Sequence, residues 1–306
     1  METAQIPIAS IFYEKDFRLA ILQALSIDRL FEKSGLCEYT VIANGSDDEA
    51  LREQFLNALG NVVSSEFKSL VRVKTFSEIL PGIDKTGYYD QQAIKLAISR
   101  YYKERFGEEA PNYLMLDSKN HFVRPSSVED FFHAGRPVTA RVAISPYWKK
   151  YVERSRLAVE IPESFFDNLM TPSITPCVFF TDVAVELVDF LEKKYETHLL
   201  RALSQSGGTE FLLYVAWLEK QDQLGLYHRS ALPVRTLFTQ HPDSDSGVEK
   251  MLDELVEKGI PLFGLHRNRL PKLSEEHRQR ISDIWGRSLL APWEDSNWFL
   301  TPATVN

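Results

Sequence analysis

Four short segments carry residue types able to do acid–base or phosphate chemistry. In the first, Gly87 precedes Tyr88-Tyr89-Asp90-Gln91-Gln92-Ala93-Ile94-Lys95-Leu96. Gln91 and Lys95 are four apart, so a helix places them on one face. A lysine beside the amide donors of Gln91 and Gln92 can hold an anion or a diphosphate. A solvated helix face is the plainer explanation. In the second, Tyr113-Leu114-Met115-Leu116 delivers Asp117 to a strand end, followed by Ser118-Lys119-Asn120-His121. An aspartate there binds a divalent cation or a ribose hydroxyl, or simply turns the chain.

The third segment is Gly207-Gly208-Thr209-Glu210-Phe211. It lacks the GxxxxGK[ST] spacing of a phosphate loop. Thr209 suits a helix N-cap, and Glu210 in the first turn is favoured by the helix dipole. The chemical alternative makes Glu210 a general base. The fourth, Phe263-Gly264-Leu265-His266-Arg267-Asn268-Arg269, ends a strand-like piece in a histidine and two arginines. These can clamp a pyrophosphate, with His266 as a metal ligand. A surface basic patch is the ordinary reading.

Other chemistries find little support. The seven histidines form no HxH or HxxxH pair, which weakens a histidine-rich metal site. GxSxG and GxGxxG are both absent, against a serine-hydrolase elbow and a dinucleotide fingerprint. Cys37 and Cys177 stand far apart, without a CxxC pair, so neither a disulfide framework nor a thiolate zinc site is implied. The net charge of −8 opposes non-specific nucleic-acid binding. The 44% hydrophobic content and 19 Phe, 12 Tyr and 5 Trp supply a core and exclude disorder as the main state. The first apolar stretch follows Glu2 and no basic region, so no secretory leader is read. The longest apolar candidate, 176–191, is broken by Asp182, Glu186 and Asp189, so no membrane span is expected.

The elements that must position these residues follow from hydrophobic spacing. Strands are expected over 6–13, 39–43, 70–75 and 112–116. Helices are expected over 17–31, with Asp16 as cap, and over 48–59 and 88–106. Asn44-Gly45-Ser46-Asp47 marks a turn. Such alternation builds an open, largely parallel sheet with helices on both faces, and ligands bind beyond its carboxyl ends. Residues 13–16, 44–48 and 117–120 fall there. The second half reads as a strand over 138–144 and helices over 182–195, 209–223, 246–258 and 274–287. Trp285, Trp293, Trp298 and Phe299 make an aromatic tail expected to cap the core; the alternative is a surface for a lipid-linked acceptor or partner chain. No linker is evident.

Taken in order, these segments resemble a GT-A-type nucleotide-sugar glycosyltransferase. More narrowly, they resemble a bacterial family of glycosyltransferase-like proteins linked to surface polysaccharide synthesis, as in capsule and lipopolysaccharide. The resemblance runs through Tyr13-x-x-Asp16-Phe17, Leu25-Ser26-Ile27-Asp28, Gly87 to Leu96, Leu116-Asp117-Ser118-Lys119-Asn120, Thr209-Glu210-Phe211-Leu212-Leu213-Tyr214 and Gly264-Leu265-His266-Arg267.

The resemblance implies an α/β, Rossmann-like fold with a mostly parallel central sheet flanked by helices and a helical C-terminal portion. It implies a single domain over 1–306, with a nucleotide-binding half over 1–125 and an acceptor half over 126–306. The activity implied is transfer of a sugar from a nucleotide-sugar donor to a glycan, lipid-linked or other hydroxyl acceptor, inverting with Glu210 as base, with retention as the open alternative because spacing does not fix stereochemistry. Tyr13 and Asp16 would face the nucleotide. Gln91, Gln92, Lys95, Asp117, Lys119, His266 and Arg267 would hold the diphosphate, and Asp117 with His266 a divalent metal. Lys119 departs from the pattern, standing where a second aspartate belongs, which leaves the metal (Mn or Mg) open. An inactive sugar-nucleotide or glycan-binding module and a nucleotidyltransferase are the alternatives. The implied setting is cytoplasmic, with the inner membrane face open to it; the oligomeric state is left unread.

Overall fold

The computed structural model describes residues 5–60 and 62–303; residues 1–4, 61 and 304–306 of the expected 1–306 domain lie outside the described residues. Two compact units are interleaved along the chain. The first takes residues 1–75, 116–130 and 233–306, the second 76–115 and 131–232.

The first unit is built on three parallel strands, Ile6–Phe12, Leu36–Ala43 and Val71–Thr75. Ile8 lies opposite Tyr39, and Tyr39 opposite Val71. Every residue of Ile6–Phe12 is buried, because a parallel strand covered on both faces has no polar side. The following helix, Phe17–Leu30, buries Leu19, Leu22, Leu25 and Ile27. Asp48–Leu59 forms the second helix, its start capped by Asp47, which accepts the Ala50 N–H at 3.0 Å. A second sheet joins Val234–Leu237 to Leu262–Leu265 in parallel and Leu262–Leu265 to Asn120–Phe122 antiparallel. Gly264 is required there, since a Cβ would stand 2.5 Å from Thr236 Oγ1.

The aromatic tail divides. Trp285 and Phe299 are buried in the first unit, whereas Trp293 is 85% exposed and Trp298 37% exposed. Salt bridging holds the tail down. Arg29 grips the Glu294 carboxylate with two bonds of 2.5 and 2.8 Å, and Arg18 donates to the carbonyls of Trp298 and Thr301.

The second unit packs the helices Asp90–Phe106, Pro146–Ala158, Thr181–Tyr195, Leu199–Ser206 and Glu210–Lys220 with the antiparallel strands Asn112–Met115 and Cys177–Phe180. Tyr113 and Phe179 stack at 5.0 Å across that pair. The helix expected from residue 88 starts at Asp90, whose carboxylate accepts the backbone N–H groups of Thr86 and Gly87 and fixes the turn before it. The strand expected over 138–144 is two short pieces, Arg136–Thr139 and Val142–Ala143. Between them Arg141 turns inward and pairs with Asp167 and Glu219, which interrupts the ladder. Among the described residues no helix is long and apolar enough to cross a membrane.

His121 provides a pH test of this core. Its Nε2 accepts the Trp285 indole N–H at 2.8 Å, and burial lowers its pKa to about 3. An unfolded histidine titrates near ~6.5. Acid therefore protonates the unfolded chain first and draws the equilibrium toward it. Stability should fall as pH drops from about 6.5 toward 3, with this side chain contributing a slope of about 1.4 kcal/mol per pH unit. Urea denaturation at stepped pH measures it. His121→Gln should flatten the slope, and an unchanged slope would contradict this origin.

Candidate functional site

The first unit gathers six of the sequence-predicted residues at strand ends. Tyr13 follows the first strand, and its hydroxyl accepts the Asn44 side-chain amide at 2.9 Å. Asp16 stands at the N-cap position of the first helix but makes no cap hydrogen bond. The capping expectation is thus replaced: its carboxylate takes Arg267 Nη1 at 2.5 Å instead. Burial raises the Asp16 pKa, Arg267 opposes that rise, and the Asp117 and Lys119 charges also reach it.

Asp117 and Asn120 close a tight turn. Asn120 Oδ1 accepts the Asp117 N–H at 3.0 Å, and the Asp117 carbonyl accepts the Asn120 N–H at 2.8 Å. Gln23, fully buried, donates to the carbonyls of both residues, at 2.7 and 2.6 Å. Its own carbonyl oxygen accepts the Tyr39 hydroxyl at 2.8 Å. Lys119 pairs with the Asp117 carboxylate, and its backbone carbonyl accepts the Leu265 N–H, tying the turn to the strand that ends at His266. His266 caps the short helical turn Arg267–Lys272, Nδ1 accepting the Asn268 N–H at 3.2 Å. Burial, then the positive fields of Lys119 and Arg267, lowers its pKa to about 4.

In the second unit, helix Asp90–Phe106 carries Gln91, Gln92 and Lys95, and helix Glu210–Lys220 begins with Glu210. Lys95 and Glu210 are 5% and 6% exposed and meet at 3.0 Å. The Lys95 ammonium also lies 4.8 Å over the Phe211 ring. The Lys95 ammonium donates to Oε1 of the Glu210 carboxylate. Gln92 is buried, while Gln91 is half-buried. Thr209 is the N-cap residue but makes no side-chain cap bond; its hydroxyl stands 3.4 Å from Ser173 Oγ.

Several supporting residues escape sequence reasoning. Gln23 has a detectable signal, an amide inside the apolar run Leu22-Gln23-Ala24-Leu25. Thr239, 3.1 Å from His266 Nδ1, has none, whereas Asn44 lies in the strand-end turn 44–48 that the sequence marks.

Asp117 and His266 are the residues that would hold a divalent cation. Among the described residues no group of three or more His, Cys, Asp or Glu side chains could hold one. Asp117 already faces an ammonium. His266 Nδ1 accepts a backbone N–H, so the neutral ring carries its proton on Nε2 and donates there. That arrangement suits a phosphate oxygen, and metal ligation would need the other tautomer.

The architecture is mixed α/β, with a parallel-rich sheet flanked by helices, and two solved structures are similar to it in part. Mouse xyloside xylosyltransferase 1, in its apo form, shares 13% identity with a TM-score of 0.43, over 85% of this chain and 97% of that one. The apo WbbM bifunctional glycosyltransferase shares 11% identity with a TM-score of 0.49, over 94% of this chain and 52% of that one. No curated protein matches. The chain belongs to the Family of unknown function DUF6492, whose profile matches residues 6–246.

The buried pair yields a stability test. Lys95→Met leaves the Glu210 carboxylate buried without its counter-ion and should cost about 3–5 kcal/mol, whereas Lys95→Met/Glu210→Leu should recover most of it. Urea denaturation reads both variants. A single variant as stable as the wild type would show that the pair does not hold Glu210.

Proposed function

We propose that the protein is a glycosyltransferase that moves a sugar from a nucleotide-sugar donor to a hydroxyl acceptor with inversion. The candidate roles are assigned within each unit by itself. In the first, Lys119, Arg267 and the Nε2–H of His266 neutralise the donor diphosphate as its leaving oxygen gains charge. Tyr13 and Asp16 belong to the nucleotide end of the same set. In the second, Glu210 takes the proton of the acceptor hydroxyl as that oxygen attacks the anomeric carbon. Lys95 fixes the carboxylate through Oε1. The acceptor oxygen–carbon bond forms, the carbon–phosphate oxygen bond breaks, and the nucleoside diphosphate leaves with the electron pair.

The observation that carries this reading is the turn at Asp117–Asn120 with its cationic neighbours. Lys119 stands beside Asp117, and its charge acts on both His266 and Asp16. Two fixed cations and a neutral histidine donor converging on strand ends make a phosphate-shaped electrostatic environment. The polysaccharide setting, a bacterial source and a glycan or lipid-linked acceptor are part of the same proposal, supported by the sequence resemblance.

Thermal shift against UDP, GDP and CMP tests the donor half, because a bound nucleotide stabilises by mass action, about 2.7 kcal/mol at a hundredfold excess over Kd. At least one should raise Tm, and Lys119→Ala should abolish the rise. Glu210→Gln should keep nucleotide binding and lower transfer by about 10²–10⁴-fold, the usual contribution of a positioned base. Near-normal turnover in Glu210→Gln contradicts the base assignment. Nucleotide binding by the wild type with neither hydrolysis nor transfer would make the protein a binding module.

A further inference from the structure

A small three-stranded sheet in the second unit carries basic side chains that no role described above uses. Its strands are Phe132–His133, Arg136–Thr139 and His228–Arg229, with Arg136–Thr139 in the middle. His133 lies opposite Arg136 across the antiparallel pair, and His228 lies opposite Val138 across the parallel one. Arg136 and Val138 are two apart on one strand, so all four side chains share one face. Arg229, paired with Thr139, falls on the other. The two imidazoles meet over the middle strand, stacked with centroids 3.9 Å apart and planes 29° apart.

The hairpin is tight. Ala134 and Gly135 alone separate His133 from Arg136, and both have positive φ, +49° and +74°. Two left-handed residues in a row make the turn whose twist suits a hairpin. Glycine adopts that backbone freely, whereas the Cβ of Ala134 makes it costly. His133 and Arg136 are exposed, and His228 is half-buried. Arg136 also differs from the arginines near it in sequence. Arg141 and Arg156 are each held by Asp167 and Glu219, but among the described residues the Arg136 side chain makes no hydrogen bond or ion pair. Desolvation, then the fields of His133 and Arg136, lowers the His228 pKa, and no carboxylate is among the charges that act on it. The face is electropositive and uncompensated.

An arginine fork and two imidazoles on one face suit an oxyanion. A carboxylate is satisfied by the fork alone. A phosphate monoester brings a third terminal oxygen and a second negative charge, and the imidazoles supply the further N–H donors. A metal ion fits less well: rings so nearly parallel do not converge on one ion at the wide angle that tetrahedral ligation requires. We propose that His133, Arg136 and His228 form a binding site for a phosphate monoester group. The site is separate from the diphosphate site proposed in the first unit and does not rest on the glycosyltransferase reading.

Histidine ring C–H signals of the full chain, followed by NMR at fixed pH, test the site; His133→Gln and His228→Gln assign the two resonances. The soluble probes are inorganic phosphate, methyl phosphate and acetate. Methyl phosphate should shift both signals, and acetate should bind at least about tenfold more weakly. Arg136→Gln should weaken phosphate binding by about tenfold or more, the scale of one charge-assisted contact. Arg136 is exposed, so an unchanged Tm confirms that this variant folds. Lys119→Ala should leave the response intact, which separates it from binding at the first unit's diphosphate site. A response to the soluble phosphates assigns the site a free phosphorylated ligand. Co-sedimentation with phosphatidic acid vesicles that Arg136→Gln abolishes, without a response to the soluble phosphates, assigns it a lipid headgroup. No response to either source, equal affinity for acetate, or wild-type affinity in Arg136→Gln overturns the site. The nucleotide thermal shift reads the other unit, so the failure of one proposal leaves the other standing.

Discussion

One buried side chain, Gln23, fixes the geometry of the first unit. It sits in the helix Phe17–Leu30, whose buried residues are mostly apolar. Its amide donates to the carbonyls of Asp117 and Asn120, and its oxygen receives the Tyr39 hydroxyl. A buried amide left unpaired costs about 1–3 kcal/mol per group, so the turn, the helix and the second strand are held to one arrangement. Because the turn is fixed, Asp117 and Lys119 are presented together, and the Lys119 carbonyl sets the register of the strand that ends in His266. Placement of the cations is thus a consequence of satisfying one amide.

Charge pairing is the second constraint. Asp16 meets Arg267, Asp117 meets Lys119, and Glu210 meets Lys95. Carboxylates brought partly or fully out of water need such partners. In the first unit the pairs fix Arg267 and Lys119 beside Asp16 and Asp117 at the strand ends. In the second, the ion pair holds a carboxylate at a helix start. In the proposed reading a lysine takes the position of a second acidic residue, and side chains take over charge neutralisation.

Much of the fold is legible in the sequence because parallel strands read as continuous apolar runs. The strand Ile6–Phe12 and the helices Asp48–Leu59 and Thr181–Tyr195 fall within a residue or so of their expected bounds. Pro146–Ala158 goes unread, since Lys149, Lys150, Arg154 and Arg156 mask its apolar face, and Leu199–Ser206 is too short for periodicity to speak. The residue types of the site are legible as well, but their partners are not. Arg267 reaching Asp16, or Lys95 reaching Glu210, joins positions more than a hundred residues apart, and spacing carries no information on such pairs. Asp16 and Thr209 show the limit clearly. Both occupy the cap position that local rules assign, yet neither makes the cap bond, because tertiary partners claim their side chains.

The central claim is that side-chain cations, rather than a divalent metal, neutralise the donor diphosphate. Calorimetric titration of the wild-type chain with UDP, GDP and CMP, in EDTA and again in excess Mn²⁺, tests it most directly. The account predicts that at least one nucleotide binds with the same affinity in both conditions. Binding that vanishes in EDTA and returns with Mn²⁺ would contradict it.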